Sequence, residues 1–212
     1  MESFLSVIGL SLAVSGSAAL LAAMLGLPLA AALALCRFPG RRALIVLVNA
    51  LLGLPPVVVG LFLYLALSRA GPLGSLGWLY TPAAMVLAET ILATPIVAAL
   101  AHRALAAAWA RHGRTMQAAG ASRLRAVPHL LAMARRTVAT AVVAGFGRTI
   151  SEVGAVLLVG GNIAGHTRTM TTTIALETSK GNLELALALG LVLIGVSLTV
   201  SATVLVLAGE RP

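Results

Sequence analysis

The chain has 212 residues, of which 59% are hydrophobic and only 10% are charged. One soluble core of this length could not bury so much apolar surface, so lipid must be a large part of the solvent around it. The net charge of +9 would favour a nucleic-acid partner in a soluble protein, but aromatic residues make up only 4% of the chain. A basic groove with stacking platforms is therefore excluded, and no nucleic-acid partner is expected.

Five apolar runs are long enough to cross a bilayer, which takes about 20 residues per helix. They lie at about 4–35, 43–67, 82–107, 137–160 and 183–208. This predicts an all-α, polytopic protein with about five transmembrane helices in one membrane domain, residues 1–212. Pro28, in the long first run, predicts a kink, a tilt or an interfacial lead-in. No secretory signal peptide is expected, because the residues before this run include Glu2 but no Lys or Arg.

The positive charges are distributed unevenly between the two ends of the predicted spans. Eleven of the 15 cations follow the first run, follow the third run or lie at the C-terminus: Arg37, Arg41, Arg42, Arg103, Arg111, Arg114, Arg123, Arg125, Arg135, Arg136 and Arg211. Because cytoplasmic loops are enriched in Lys and Arg, this pattern predicts an N-terminus outside and a C-terminus in the cytoplasm. Cys36, the only cysteine, would then lie at a cytoplasmic helix end.

The second run contains two consecutive prolines, Pro55 and Pro56. Each lacks a backbone donor and clashes with the preceding turn, so the helix must kink or break. Two interpretations remain open: a packing irregularity, which is common in membrane bundles, and a bend that lines a pathway. Residues 68–82 then have the composition of an external loop, with Trp78 and Tyr80 at positions typical of an interfacial aromatic belt.

The longest polar stretch lies between the third and fourth runs, at about 102–136. Its sequence predicts a helix that is interrupted at Gly120 and resumes after Ser122, a favoured N-cap residue. Two short helices that meet at a glycine would project from the cytoplasmic face. The alternative is an ordinary basic loop that is retained on that side by its charge.

Ionisable residues inside a span cost several kcal/mol unless they are paired or hydrated, so each is a candidate functional residue. Glu89, Arg148 and Glu152 meet this description. Arg148 and Glu152 are four residues apart, which places them on one helix face. They form either a structural ion pair or a pair that also helps to gate a pathway. Gly154 follows them and would permit a close helix approach.

A threonine-rich segment, 167–173, follows the Gly-rich turn at 160–165. Its hydroxyls and Arg168 could contact an anion. Helix capping and loop solvation explain the same residues, and this interpretation is preferred.

No catalytic motif is present in the sequence. Lys180, the single lysine, is not part of a phosphate-binding loop. There is no aspartate, and the four histidines have no metal-ligand spacing. We therefore expect no enzyme activity, no ATP hydrolysis by this chain alone, and no cofactor or metal.

Several segments resemble the inner-membrane permeases of binding-protein-dependent ABC importers, and the resemblance covers the whole chain. The segments that are most similar to tungstate permeases are 53–60, 71–74, 150–156, 160–163 and 174–181. Molybdate and sulfate permeases are similar to a lesser degree, and they have Gly-Glu-Phe/Tyr-Gly where this chain has Ser-Glu-Val-Gly at 151–154. The family's coupling motif, Glu-Ala-Ala followed by three residues and Gly, matches at Gly120, but Arg114-Thr115-Met116 replaces the Glu-Ala-Ala.

The resemblance implies the five-helix core of the type I importer fold and a homodimer of permease chains. It also implies cytoplasmic ATP-binding subunits and an external oxyanion-binding protein. Around the coupling motif, the residues assigned to ATPase coupling are Gly120, Ala121, Ser122, Arg123, Leu124 and Arg125. Those assigned to the translocation path or gate are Pro55, Pro56, Arg148, Glu152 and Gly154.

The expected function is ATP-driven import of an oxyanion, tungstate by closest resemblance, across the cell inner membrane. Import of molybdate or sulfate is the nearest alternative. A passive channel would also need kinked helices and intramembrane charges, but it would not need an ATPase-docking loop. A purely structural membrane scaffold would not explain Arg148 and Glu152 inside a span.

Overall fold

The computed structural model describes residues 4–207, and this part of the chain contains nine α-helices and no β-strand. The helices are α1 (Phe4–Leu35), α2 (Arg41–Ala50), α3 (Pro56–Leu67), α4 (Pro82–Ala118), α5 (Arg123–Met133), α6 (Arg135–Ile150), α7 (Gly154–Gly160), α8 (Met170–Ser179) and α9 (Leu183–Leu207). The predicted all-α class is confirmed. Glu2, Arg211 and the end of the fifth predicted run at 208 lie outside the described residues.

Three helices, α1, α4 and α9, are each long and apolar enough to cross a membrane. Up to five spans result if each of two bent helix pairs counts as one span. One pair joins Arg41–Gly53 to α3 with a bend of 101°, and the other joins α5 to α6 with a bend of 79°. The multi-pass class is therefore confirmed, and Pro28 lies inside the continuous helix α1.

The break predicted in the second run is present. Pro55 has an extended backbone (φ −69°, ψ 120°) and precedes α3, whose first residue is Pro56. Proline suits this first helical position, since its missing N–H would have no partner there. The run at 43–67 is consequently two helices joined at a bend rather than one continuous helix.

The prediction of one continuous helix over 137–160 is wrong. Helix α6 ends at Ile150 and α7 begins at Gly154, with three non-helical residues between them. Helix α6 has 16 residues, fewer than the roughly 20 that a crossing needs. No proline marks this interruption.

The loop predicted at 102–136 is mostly helical. Helix α4 continues to Ala118, so the first of the two predicted short helices is not a separate element, and that prediction is wrong. The turn after it is as predicted: Gly120 has a positive φ of 81°, and the amide of Ala121 donates to the Met116 carbonyl at 2.9 Å. This geometry ends a helix without strain at glycine. The Ser122 hydroxyl then accepts from the Arg125 amide and caps α5, also as predicted.

Helix α4 is the centre of the bundle, since α1 and α6 both pack along it. Small side chains at the contact, such as Ala22, Ala93 and Ala98, are fully buried and let the helices approach closely. The C-terminal end of α1 receives two cationic donors: Arg41 Nε donates to the Leu33 carbonyl, at 2.7 Å, and Arg123 to the Leu35 carbonyl, at 3.0 Å. These contacts tie α2 and α5 to α1.

Candidate functional site

The break between α6 and α7 is formed by Ser151, Glu152 and Val153. It lies between a helix C-terminus, where cations are favoured, and a helix N-terminus, where anions are favoured. Arg148 is in the last turn of α6, and Glu152 lies two residues before α7. The order of the two charges therefore matches the polarity of the two helix ends.

Arg148 and Glu152 form an ion pair with 2.6 Å between a guanidinium nitrogen and Oε2 of the carboxylate. The other carboxylate oxygen accepts from the Ala155 amide at 3.0 Å. The side chain of Glu152 is only 2% exposed, whereas that of Arg148 is 28% exposed. The carboxylate is thus buried, and the guanidinium is the more exposed of the two charged groups.

A buried polar layer connects this break to α1 and α4. The Thr149 hydroxyl is 3.2 Å from the Ser15 carbonyl, and the Ser15 hydroxyl donates to Glu89 Oε1 at 3.4 Å. Glu89 is only 2% exposed, and its second oxygen has no hydrogen-bond partner among residues 4–207. The structure therefore brings Glu89 into the layer next to the pair, and an unsatisfied buried oxygen there is costly.

The serines of α1 were not predicted as part of a site. Ser11 and Ser15 are one helical turn apart and both are buried. The Ser11 hydroxyl accepts from the Met170 amide at 2.7 Å, at the start of α8. The only signal in the sequence was the i, i+4 spacing of these two among the four serines of an apolar run, a pattern that many membrane helices share.

The threonines of 167–173 serve mainly as caps and packing groups. Thr169 and Thr172 form a reciprocal capping box at the start of α8, which agrees with the preferred interpretation. Loop solvation does not apply, since Thr167, Thr169 and Thr172 are buried. Thr171 donates to the Glu152 carbonyl at 2.8 Å, so α8 satisfies a backbone group that the break exposes.

Helix α3 packs directly against α7 through glycines. A Cβ added to Gly60 would lie 2.8 Å from the Ala155 Cα, and one added to Gly154 would lie 2.8 Å from Val57 Cγ2. Because α3 starts at Pro56, the proline break and the break at 151–153 lie next to each other. The predicted path residues Pro55, Pro56, Arg148, Glu152 and Gly154 are thus one local group.

The predicted coupling residues form a second group at the other end of the bundle. They are Gly120, Ala121, Ser122, Arg123, Leu124 and Arg125, and they cover the turn and the start of α5. Leu124 and Arg125 are exposed, with Leu124 at 79%. The Arg123 side chain is directed instead to α1. Met116 and Ala126, on either side of this turn, belong to an apolar cluster with the ends of α1 and α4, separate from the cluster around α3 and α7.

Neither group has the make-up of a metal centre. Among the described residues, no three His, Cys, Asp or Glu side chains lie close enough together to hold a metal ion. In the described part of the chain, the only group of opposite charges at the break is the Arg148–Glu152 ion pair, and a partly exposed guanidinium is a chemical group that can bind an anion.

No family model matches the chain. The curated relatives are membrane transport proteins. A protein of Haloferax volcanii described as a "probable anion ABC transporter permease protein" is 41% identical over 84% of this chain and 79% of its own length. A tungstate uptake system permease protein, TupB, of Peptoclostridium acidaminophilum is 37% identical over 84% of this chain and 78% of its own.

A molybdenum transport system permease protein, ModB, of Azotobacter vinelandii is similar at 33% identity, over 82% of this chain and 80% of its own. All three are permease subunits, which are transport components rather than enzymes. Identity above 30% over more than two thirds of both chains places this chain with them. The chain therefore belongs to the family of ABC transporter permease proteins that includes these tungstate and molybdenum permeases.

Proposed function

We propose that this chain is the membrane subunit of an ATP-driven importer of a tetrahedral oxyanion, with tungstate as the preferred ion. The single observation that carries the proposal is the order of similarity. Tungstate permeases are 37% and 39% identical to this chain, whereas molybdenum permeases are 28% to 33% identical. Molybdate or sulfate is the alternative cargo.

The ion pair at the helix break supports an anionic cargo. A bare carboxylate in a low-dielectric pathway would repel a doubly charged oxyanion. In this chain Glu152 is engaged by Arg148 and the Ala155 amide, and Arg148 is the more exposed partner. We infer that Arg148 faces the pathway and that the pair, with Gly154 and the Pro55–Pro56 break, forms part of a gate.

The assembly is part of the same proposal. Two copies of the chain would enclose the pathway, two ATP-binding subunits would dock on the turn at Gly120, and an external binding protein would deliver the ion. Exposed Leu124 and Arg125 at that turn are available for such a contact. The N-terminus would lie outside and the C-terminus in the cytoplasm, in the cell inner membrane.

Uptake in proteoliposomes tests this function. The chain is reconstituted with its ATPase subunits and binding protein, and tungstate accumulation is measured with and without ATP inside the vesicles. We expect ATP-dependent uptake that excess tungstate inhibits more strongly than equal molybdate or sulfate. Uptake without ATP would instead identify a passive channel, and stronger inhibition by molybdate or sulfate would reassign the cargo.

A matched pair of variants tests the role of Arg148 in this assay. Arg148→Gln should reduce uptake strongly, because the pathway loses its cation while Glu152 stays buried. Arg69→Gln removes an equally charged side chain that is exposed on the loop after α3 and should leave uptake unchanged. If Arg148→Gln and Arg69→Gln supported equal uptake, Arg148 would not be part of the pathway.

A further inference from the structure

A basic cavity lies where α1 ends and α4 continues beyond the apolar part of the bundle. It has a volume of about 250 Å³, and its lining includes Arg37, Trp109, Arg114, Gln117 and Arg123. No carboxylate in residues 4–207 forms an ion pair with any of these three arginines. Within these residues, three guanidinium groups therefore line one cavity without a carboxylate partner, and only Arg123 is partly engaged, by the Leu35 carbonyl at the end of α1.

An apolar groove adjoins this cavity. It has a volume of about 380 Å³ and runs between α1 and α5, with Pro28, Ala32, Leu35, Val127 and Pro128 in its walls. Almost all of its lining surface is apolar. Arg123 lines both the groove and the basic cavity, so the two spaces meet at this side chain.

The two spaces follow each other along α1 in the order that the headgroup and the acyl chain of a lipid require. Arg37 comes directly after the apolar run of α1, and Trp109 is an aromatic residue at the same boundary. The groove extends from Cys36 back to Pro28, which is about 12 Å along the helix toward the apolar interior. A charged head at the arginines and an acyl chain along α1 would each lie at its normal depth.

We propose that this surface is a specific binding site for an anionic phospholipid. The headgroup phosphate is held by Arg37, Arg114 and Arg123, because guanidinium groups bind phosphate through paired, charge-assisted hydrogen bonds. One acyl chain occupies the groove between α1 and α5. The bound lipid therefore contacts both α1 and α5, the helix that follows the Gly120 turn. This contact does not depend on which ion is transported.

The fluorescence of Trp109 allows a direct test with the full-length chain in vesicles. The protein has two tryptophans, and Trp78→Phe leaves Trp109 as the only one. Vesicles of phosphatidylcholine receive increasing amounts of brominated phosphatidylglycerol or, in parallel, brominated phosphatidylcholine. We expect phosphatidylglycerol to quench Trp109 at a mole fraction about tenfold lower, since each basic residue near the surface favours anionic lipid. Equal quenching by both lipids would overturn the proposal.

Paired variants separate the site from a general effect of charge. Arg37→Gln with Arg114→Gln should abolish the preference for phosphatidylglycerol. Arg135→Gln with Arg136→Gln removes two exposed cations outside the cavity and should retain it. Ala32→Phe fills the groove without changing charge and should weaken quenching by phosphatidylglycerol. A preference that survives in the first variant, or is unaltered in Ala32→Phe, contradicts a lipid site.

Two competitors distinguish other occupants. Inorganic phosphate or tungstate at millimolar concentration should not displace the brominated lipid, because neither fills the groove; displacement would show a free-anion pocket instead. Addition of the ATPase subunits should leave the preference intact. Its loss would show that the cavity belongs to the protein interface rather than to lipid.

Discussion

Arg148 and Glu152 divide their roles through their surroundings. Both belong to a run that the sequence predicts to be inside the membrane, where an isolated charge is costly. The carboxylate is almost completely buried and accepts two hydrogen bonds, one from Arg148 and one from the start of α7. Glu152 consequently has two functions, as the counter-ion of Arg148 and as the cap of a helix that begins at a break.

A double-mutant cycle tests the coupling of the two residues. Arg148→Met leaves a buried carboxylate uncompensated and should lower the free energy of unfolding by roughly 3–5 kcal/mol. The double variant, Arg148→Met with Glu152→Gln, should lose far less of this free energy. Glu152→Gln retains an acceptor for the Ala155 amide. Thermal unfolding in detergent compares the wild type, the two single variants and the double variant. Strictly additive losses of stability would contradict the pairing. Wild-type uptake by the double variant would show a structural pair without a gating role.

At the level of the elements, α3 and α7 are held at a distance that only glycine allows. Gly60 faces the backbone of Ala155, which cannot move without displacing α7. Since α7 starts at the break that holds Glu152, the position of α3 also determines the geometry of the ion pair. The two predicted path elements, the prolines and the pair, are therefore mechanically linked.

Gly60→Ala should separate α3 from α7 and lower the stability by about 1–3 kcal/mol, as other overpacked contacts do. Gly147→Ala is the control, because a Cβ at this position in α6 has no neighbour within 4 Å. It should be neutral or stabilising by about 0.5–1 kcal/mol through helix propensity. Midpoints of thermal unfolding compare the two variants, and equal midpoints would contradict the close contact.

The turn between α4 and α5 depends on a backbone conformation rather than on packing. Gly120 has a positive φ, and a Cβ there would have open space around it. A β-branched residue would be strained by about 1–2 kcal/mol in this region, whereas Asn tolerates it. We expect Gly120→Val to reduce transport and recovery of the ATPase with the permease, and Gly120→Asn to preserve both. Wild-type coupling in Gly120→Val would show that the ATPase docks elsewhere.

For the whole molecule, the distribution of arginines makes a prediction of orientation that the fold does not test. Cys36 directly follows α1 at the basic end of the bundle and is partly exposed. An impermeant maleimide should label it only after cells are permeabilised. Ser75→Cys in a Cys36→Ser background should be labelled in intact cells. Ser75 lies between α3 and α4, in the loop that the arginine distribution predicts to be external. The reverse pattern would invert the topology.

Local chemistry was enough to predict several features of this protein. Apolar content requires lipid around the chain, Pro55 and Pro56 cannot continue a helix, and Ser122 after Gly120 starts a new one. Each of these results from the properties of one or two residues and their immediate neighbours. The ion pair at Arg148 and Glu152 was also predictable, because residues four apart come together in helix-like backbone.

Only the tertiary structure shows the break at 151–153 and the polar layer beneath it. No proline marks that break, and a helix is the default for such an apolar run in lipid. It is stabilised by groups remote in sequence: Thr171 of α8 satisfies the Glu152 carbonyl, and Thr149 contacts the Ser15 carbonyl of α1. A backbone group freed from a helix inside a membrane needs such a partner, and its partner is determined by how the helices pack rather than by the residues next to it.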